Sequence, residues 1–124
     1  DLHYPGVIKE ALVLITIHTD KHIQGREDVA QSVEALVEDA IGEFADWLTR
    51  VEVHLSDENG NKGGGNDKRC KIDAHPKGGQ HVAVHHDAPT IKEAIEGSLD
   101  KLMTVLGKIH DKRIDSRHRP APIL

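Results

Sequence analysis

Three stretches of this chain alternate apolar and polar residues with a period of two, and two longer ones place apolar residues every third or fourth position. A strand shows alternate residues to each side and an amphipathic helix buries one stripe, so this pattern constrains both element type and buried face. Arg50–Ser56 (RVEVHLS) turns Val51, Val53 and Leu55 inward and Glu52 and His54 outward. Lys68–His75 (KRCKIDAH) turns Cys70, Ile72 and Ala74 inward and Arg69, Lys71, Asp73 and His75 outward. Gln80–His86 returns as a further strand with Val82 and Val84 inward. Ahead of these, Leu12–His18 (LVLITIH) is β-branched and apolar, a strand with Val13, Ile15 and Ile17 on one face.

The helical stripes complete the pattern. From Arg26 to Leu48 the apolar positions Val29, Val33, Leu36, Val37, Ala40, Ile41, Phe44 and Leu48 form one face, while Glu27, Asp28, Glu34, Glu38, Asp39, Glu43 and Asp46 form the other. Near the end, Thr90 and Glu93 make a capping box, and Ile91, Ile95, Leu99, Leu102, Leu106 and Ile109 give a buried stripe running to about Lys112. The order is β-α-β-β-β-α. A right-handed crossover through the first helix makes the first two strands parallel, and the others form an antiparallel meander. The expected architecture is a two-layer α+β domain: a four-stranded mixed sheet with two helices packed on one face and the other face open and polar. Residues 12–113 make this domain. Residues 1–11 are expected to be a poorly ordered N-terminal extension beginning at a processed or engineered start, and 114–124 a frayed basic tail.

At 124 residues there is room for one such domain and no second. No apolar run approaches the roughly 20 residues of a membrane span, and no secretory pattern opens the chain. With the single Cys70 excluding an intrachain disulfide, a cytoplasmic protein is expected. Tyr4, Phe44 and Trp47 are too few and too scattered to stack splayed bases. The net charge of −5 disfavours indiscriminate nucleic-acid binding, and no DNA partner is expected. Charge is uneven, however: residues 1–62 carry 5 basic and 13 acidic side chains, residues 63–124 carry 11 and 8. An anionic partner should meet the second half.

Most catalytic readings fail on spacing. Asp57, Asn59 and Asn61 begin like a calcium loop, but Lys62 and Lys68 stand where it needs glycine and an acid. Gly63–Gly65 lacks the lysine and hydroxyl of a phosphate loop. Cys70 alternates inward and reads as a small buried hydrophobe. His85 and His86 are adjacent on a strand and face opposite ways. No catalytic residue, enzyme activity or cofactor is expected. His54, His75, His81 and His85 all fall on the outward face, and three of them could converge on zinc or nickel. No ligand motif matches, and the expected arrangement is imidazoles solvating that face and pairing with Glu52 and Asp73.

A basic pattern remains. Lys101, Lys108 and Lys112 stand at i, i+7 and i+11, on one flank of the last helix, and Arg113 continues the charge. Arg69, Lys71, Arg50 and Lys68 form a second basic region on the strands. Cations near a helix C-terminus also complement its dipole, so the spacing alone leaves structural and phosphate-binding roles open.

The β-α-β-β-β-α order, with Arg50–Asn59 (RVEVHLSDEN), Asp67–Cys70 (DKRC), His85–Ile91 (HHDAPTI) and the Ala94-Ile95 pair, resembles the ribosome hibernation-promoting factor and ribosome-associated inhibitor family, in a short, sigma-54 modulation protein-like form. The resemblance covers about Val13–Lys112. It implies a stress-linked factor that binds the small ribosomal subunit in the channel used by messenger and transfer RNA and blocks translation. By position, Lys101, Lys108 and Lys112 correspond to basic residues of the family's last helix, and Thr104 stands where the family has arginine. The first helix departs further, with Glu34, Glu38, Asp39 and Glu43 where many members are basic. Such a face repels phosphate and suits a basic ribosomal protein. The longer members' dimerisation domain is absent from this sequence, so ribosome pairing by this chain alone is not expected. Two alternatives use the same fold: an interaction module whose acidic first helix binds a basic protein, and a His-rich metal-binding domain.

Overall fold

In a computed structural model of the chain, residues 2–8, 13–21, 23, 25–58 and 67–118 are described, with backbone alone at 2–8, 26 and 112–118. The described strands and α-helices, in chain order, are β1 (Leu2–Ile8), β2 (Val13–Thr19), α1 (Arg26–Ile41), β3 (Leu48–Asp57), β4 (Lys68–Pro76), β5 (Val82–Ala88) and α2 (Ile91–His118). The strands lie in the order β1-β2-β3-β4-β5. β2 and β3 are parallel, joined through α1, and the other pairs are antiparallel. The expected four-stranded mixed sheet with its two helices is present.

β1 is an addition to it. Leu2–Ile8 pairs along β2 as an edge strand, within the segment expected to be a poorly ordered extension. Pro5-Gly6 disguises it in sequence, since the pair reads as a turn. A sheet edge is where proline is accommodated.

The alternation places the core. Val13, Ile15 and Ile17 of β2, Val51, Val53 and Leu55 of β3, Cys70, Ile72 and Ala74 of β4 and Val82 of β5 are buried on one face. Ala30, Val33, Val37 and Ile41 of α1 and Ala94, Ile95, Leu99, Leu102 and Leu106 of α2 cover them. α1 packs over β1 and β2, whereas α2 packs over β4 and β5. The acidic helix and the closing helix therefore sit on opposite halves of the sheet.

Two helix ends differ from the periodic reading. α1 stops at Ile41; Gly42–Phe44 forms a short 3-10 turn, and Leu48 is the first residue of β3. The stripe continues past the helix because Phe44 and Trp47 are buried from a turn, each against His110 of α2 with ring centroids 5.4 and 5.3 Å away. α2 runs to His118, well into the segment expected to fray. After Gly107 neither proline nor glycine interrupts it before Pro120, which disfavours helical backbone at the preceding residue. Its start matches expectation: the Glu93 amide donates to Thr90 Oγ1 at 3.1 Å, and the Thr90 hydroxyl donates to Glu93 Oε2 at 3.0 Å.

Gly97 lets α2 lie against β5. A Cβ there would clash with the edge of the His86 ring, while a Cβ on Gly107 would meet nothing. Gly107→Ala should stabilise the fold by up to about 1 kcal/mol through helix propensity. Gly97→Ala should instead destabilise it by about 1–2 kcal/mol, the clash outweighing the same gain. Paired thermal melts read the opposite signs; two upward shifts would show that His86 swings aside freely.

Candidate nucleic-acid interface

The outward face of the sheet is a grid set by strand register. Arg50, Glu52 and His54 of β3 pair with His75, Asp73 and Lys71 of β4, and Asp73, Lys71 and Arg69 pair with Ala83, His85 and Asp87 of β5. Of the strand cations singled out in the sequence, two are tied up by this register. Arg69 faces Asp87 and binds it with two parallel bonds, Nε to Oδ1 at 2.7 Å and a second guanidinium nitrogen to Oδ2 at 3.0 Å. That guanidinium is the main cause of the lowered pKa of Asp87. Lys68 faces Asp57 and lies 3.2 Å from it and 3.1 Å from Asp67, both carboxylates being buried. Lys68 thus neutralises two interior carboxylates at the mouth of the β3–β4 connection, which is an internal role rather than a free phosphate contact. Arg50 and Lys71 remain exposed and make no ion pair among the described residues.

On α2, Lys101 and Lys108 are exposed. Seven residues of helix separate them by about 10.5 Å along the axis and only about 20° around it. The Lys101 ammonium donates to the carbonyl oxygen of His85 at 2.8 Å. β5 is an edge strand, and Lys101 reaches this carbonyl from the flank of α2. His85 points outward opposite Lys71. Lys101 and Lys71, with His85 between them, thereby form one cationic margin that joins the flank of α2 to the open sheet face. Lys112 lies one further turn along the same flank by its helical backbone; its side chain and that of Arg113 lie outside the described residues. Thr104, between the two lysines, donates to the Asp100 carbonyl at 3.0 Å and adds no charge.

The nucleophile readings close. The Cys70 thiol is pushed up to about 12 by burial, and Ser98 Oγ donates to the Cys70 carbonyl at 2.7 Å, seating α2 on β4. His85 is exposed and His86 packs inward beside Gly97, so the two imidazoles do not share a site. Asn59, Asn61 and Gly63–Gly65 lie outside the described residues.

The outward histidines pair with the acids as expected, but crosswise: His54 Nε2 is 3.7 Å from Asp73 Oδ2, and His75 Nε2 is 3.7 Å from Glu52 Oε2. His75 and His81 are in ring contact at 3.9 Å, whereas His85 stands apart beside Lys71. Burial, then His81 and Arg50, lower the His75 pKa and favour its neutral form. His18 was missed as a member of this group. It stacks on His54, centroids 4.6 Å apart and rings 6° from parallel. Its outward place follows from the inward Val13, Ile15 and Ile17, but the mostly apolar strand draws attention to its other face.

The acidic face of α1 is intact. Glu27, Asp28 and Asp39 are exposed on it, Glu34 and Glu38 are half-buried, and Glu43 is exposed on the 3-10 turn that follows. Partial burial, then the neighbouring Glu38, raise the Glu34 pKa, and its buried Oε2 has no hydrogen-bond partner. Because the folded state favours protonated Glu34, its stabilising contribution is full below the unfolded value of 4.5 and is lost as pH rises through the folded value. Glu34→Gln should therefore raise the melting temperature at pH 7 and change it little near pH 4. An equal shift at both pH values would show that charge is not the cause.

The profile described as Sigma 54 modulation protein / S30EA ribosomal protein matches residues 17–114. The chain belongs to that family. The match begins inside β2 and spans everything from α1 through most of α2, so the cationic margin lies within it and β1 lies outside. The family's name associates it with the ribosome. No curated protein matches the sequence. The fold is similar to the crystal structure of the Thermus thermophilus Protein Y N-terminal domain, with a TM-score of 0.59 and 20% identity, covering 75% of this chain and 94% of that one. At that identity the likeness concerns architecture. Among the described residues no helix is long and apolar enough to cross a membrane.

Proposed function

We propose that this family member binds the small ribosomal subunit by laying the Lys101–Lys112 flank of α2 and the adjoining β5 margin against rRNA phosphates, and inhibits translation by occupying space rather than by chemistry. The observation that supports this reading most is the segregation of charge across the sheet. Lys101 and Lys108 stand exposed where α2 meets the β5 edge, while the carboxylates of α1 stand over β1 and β2. Three inter-strand spacings from β2 to β5 amount to roughly 15 Å. That exceeds the Debye length of about 8 Å at physiological salt, so the acidic helix need not repel a polyanion docked at the other edge. Lys71 and Arg50, exposed on the open face of the sheet, extend the same surface. With few aromatics the contact reads backbone charge and shape, not bases. A ribosomal partner places the protein in the cytoplasm.

The rival reading docks the acidic helix on a basic protein. Glu34, Glu38 and Glu43 changed together to Lys should leave ribosome co-sedimentation intact or strengthen it a few-fold if the α2 flank carries binding. Loss of co-sedimentation by that variant, with an unchanged melt, would transfer the contact to α1.

A further inference from the structure

The open face of the sheet carries a second constellation, which owes nothing to the phosphate reading. We propose that Glu52, His54 and Asp73 bind a divalent first-row cation of the zinc type. One ligand atom from each of the three lies within 4.8 Å of the other two, and all three residues are half-buried. Register brings this about: Glu52 and Asp73 are directly opposite across β3 and β4, and His54 is the next outward residue on β3. Tetrahedral bonds of about 2.1 Å require ligand atoms about 3.4 Å apart. His54 Nε2 and Asp73 Oδ2 are already 3.7 Å apart, so small side-chain rotations close the set.

The surroundings are those of a supported site. The His18 ring lies flat against His54 and limits its rotation. The His75 Nε2 atom is buried, has no hydrogen-bond partner, and lies 3.7 Å from Glu52 Oε2. A slight shift lets it donate to Glu52 and orient that carboxylate, the usual outer-sphere arrangement around a metal ligand. A nitrogen and two carboxylate oxygens suit zinc, manganese, cobalt or nickel, with water completing the coordination on this open surface. Two carboxylates balance the charge of the ion, against the nearby cations Lys71 and Arg50.

Calorimetric titration of the full chain with zinc chloride at pH 7.5 tests this. One ion per chain is expected, with affinity falling at least 30-fold in Asp73→Asn and in His54→Ala, and unchanged in His85→Ala. A second measurement needs no variant: substoichiometric Co2+ should broaden the imidazole proton signals of His54, His18 and His75 before those of His85 and His110. No heat above buffer, several weak ions per chain, an affinity indifferent to Asp73→Asn, or uniform broadening of all histidines would each overturn the site. Ribosome sedimentation plays no part in this readout, so failure here leaves the phosphate reading standing, and the reverse holds.

Discussion

Replacing Lys101, Lys108 and Lys112 together with Glu is expected to abolish co-sedimentation with ribosomes, lowering affinity at least 100-fold, while the melting temperature moves little. The size follows from counterion release. Three lysines that each neutralise a phosphate give a slope of log affinity against log salt of about −2 to −3. The wild-type chain should then lose on the order of 30-fold in affinity between 50 and 200 mM salt. Reversal removes that attraction and places three repulsive charges on the same flank. The fold should tolerate it, because Lys101 and Lys108 are exposed. Lys101 does hold the His85 carbonyl, so Lys101→Gln is the companion variant: it keeps a donor at the β5 rim and loses only charge. Gradient sedimentation at both salt concentrations, with melts alongside, separates the outcomes. Unaltered sedimentation of the triple variant would remove the α2 flank from the mechanism.

The fold was far more legible than the surface, for a physical reason. Burial is a property of single positions, and a period of two or of 3.6 assigns each residue to a face without knowledge of its neighbours. Val51, Val53, Cys70, Ile72, Leu102 and Leu106 could therefore be placed from the sequence, and all are buried. Ion pairing belongs to pairs of positions and depends on register. Arg69 and Lys68 read as available cations because nothing local shows that Asp87 and Asp57 will lie directly opposite them. The same ignorance hid the meeting of Glu52 with Asp73. The edge strand β1 was obscured by Pro5-Gly6, and the end of α1 was misjudged because Phe44 and Leu48 keep helical spacing after the helix has stopped. Lys101 shows the limit most clearly. Its spacing with Lys108 was visible, but its reach over the β5 rim to His85 depends on how α2 crosses the sheet.

Leu102→Ala carries the largest expected loss of stability and separates core from groove on neighbouring helices. Leu102 is fully buried on the inner face of α2, within the cluster that joins β4 and β5 to the helix. Truncation forfeits the transfer energy of the removed groups and leaves a cavity that packed strands close only in part, together about 3–4 kcal/mol. For a domain of this length that lowers the melting temperature by roughly 10 °C or more. Leu36 offers the contrast. It has the same side chain on α1 but is 40% exposed, at the rim of an apolar groove shared with Val29, Val33, Ile91 and Ile95. Solvent fills the space it vacates, so Leu36→Ala should cost well under half as much. Denaturant titration of the two variants reads the difference directly. A Leu102→Ala chain as stable as Leu36→Ala would mean that α2 is not held to the sheet by its buried stripe, and the lysine flank would then lack the fixed platform on which its spacing depends.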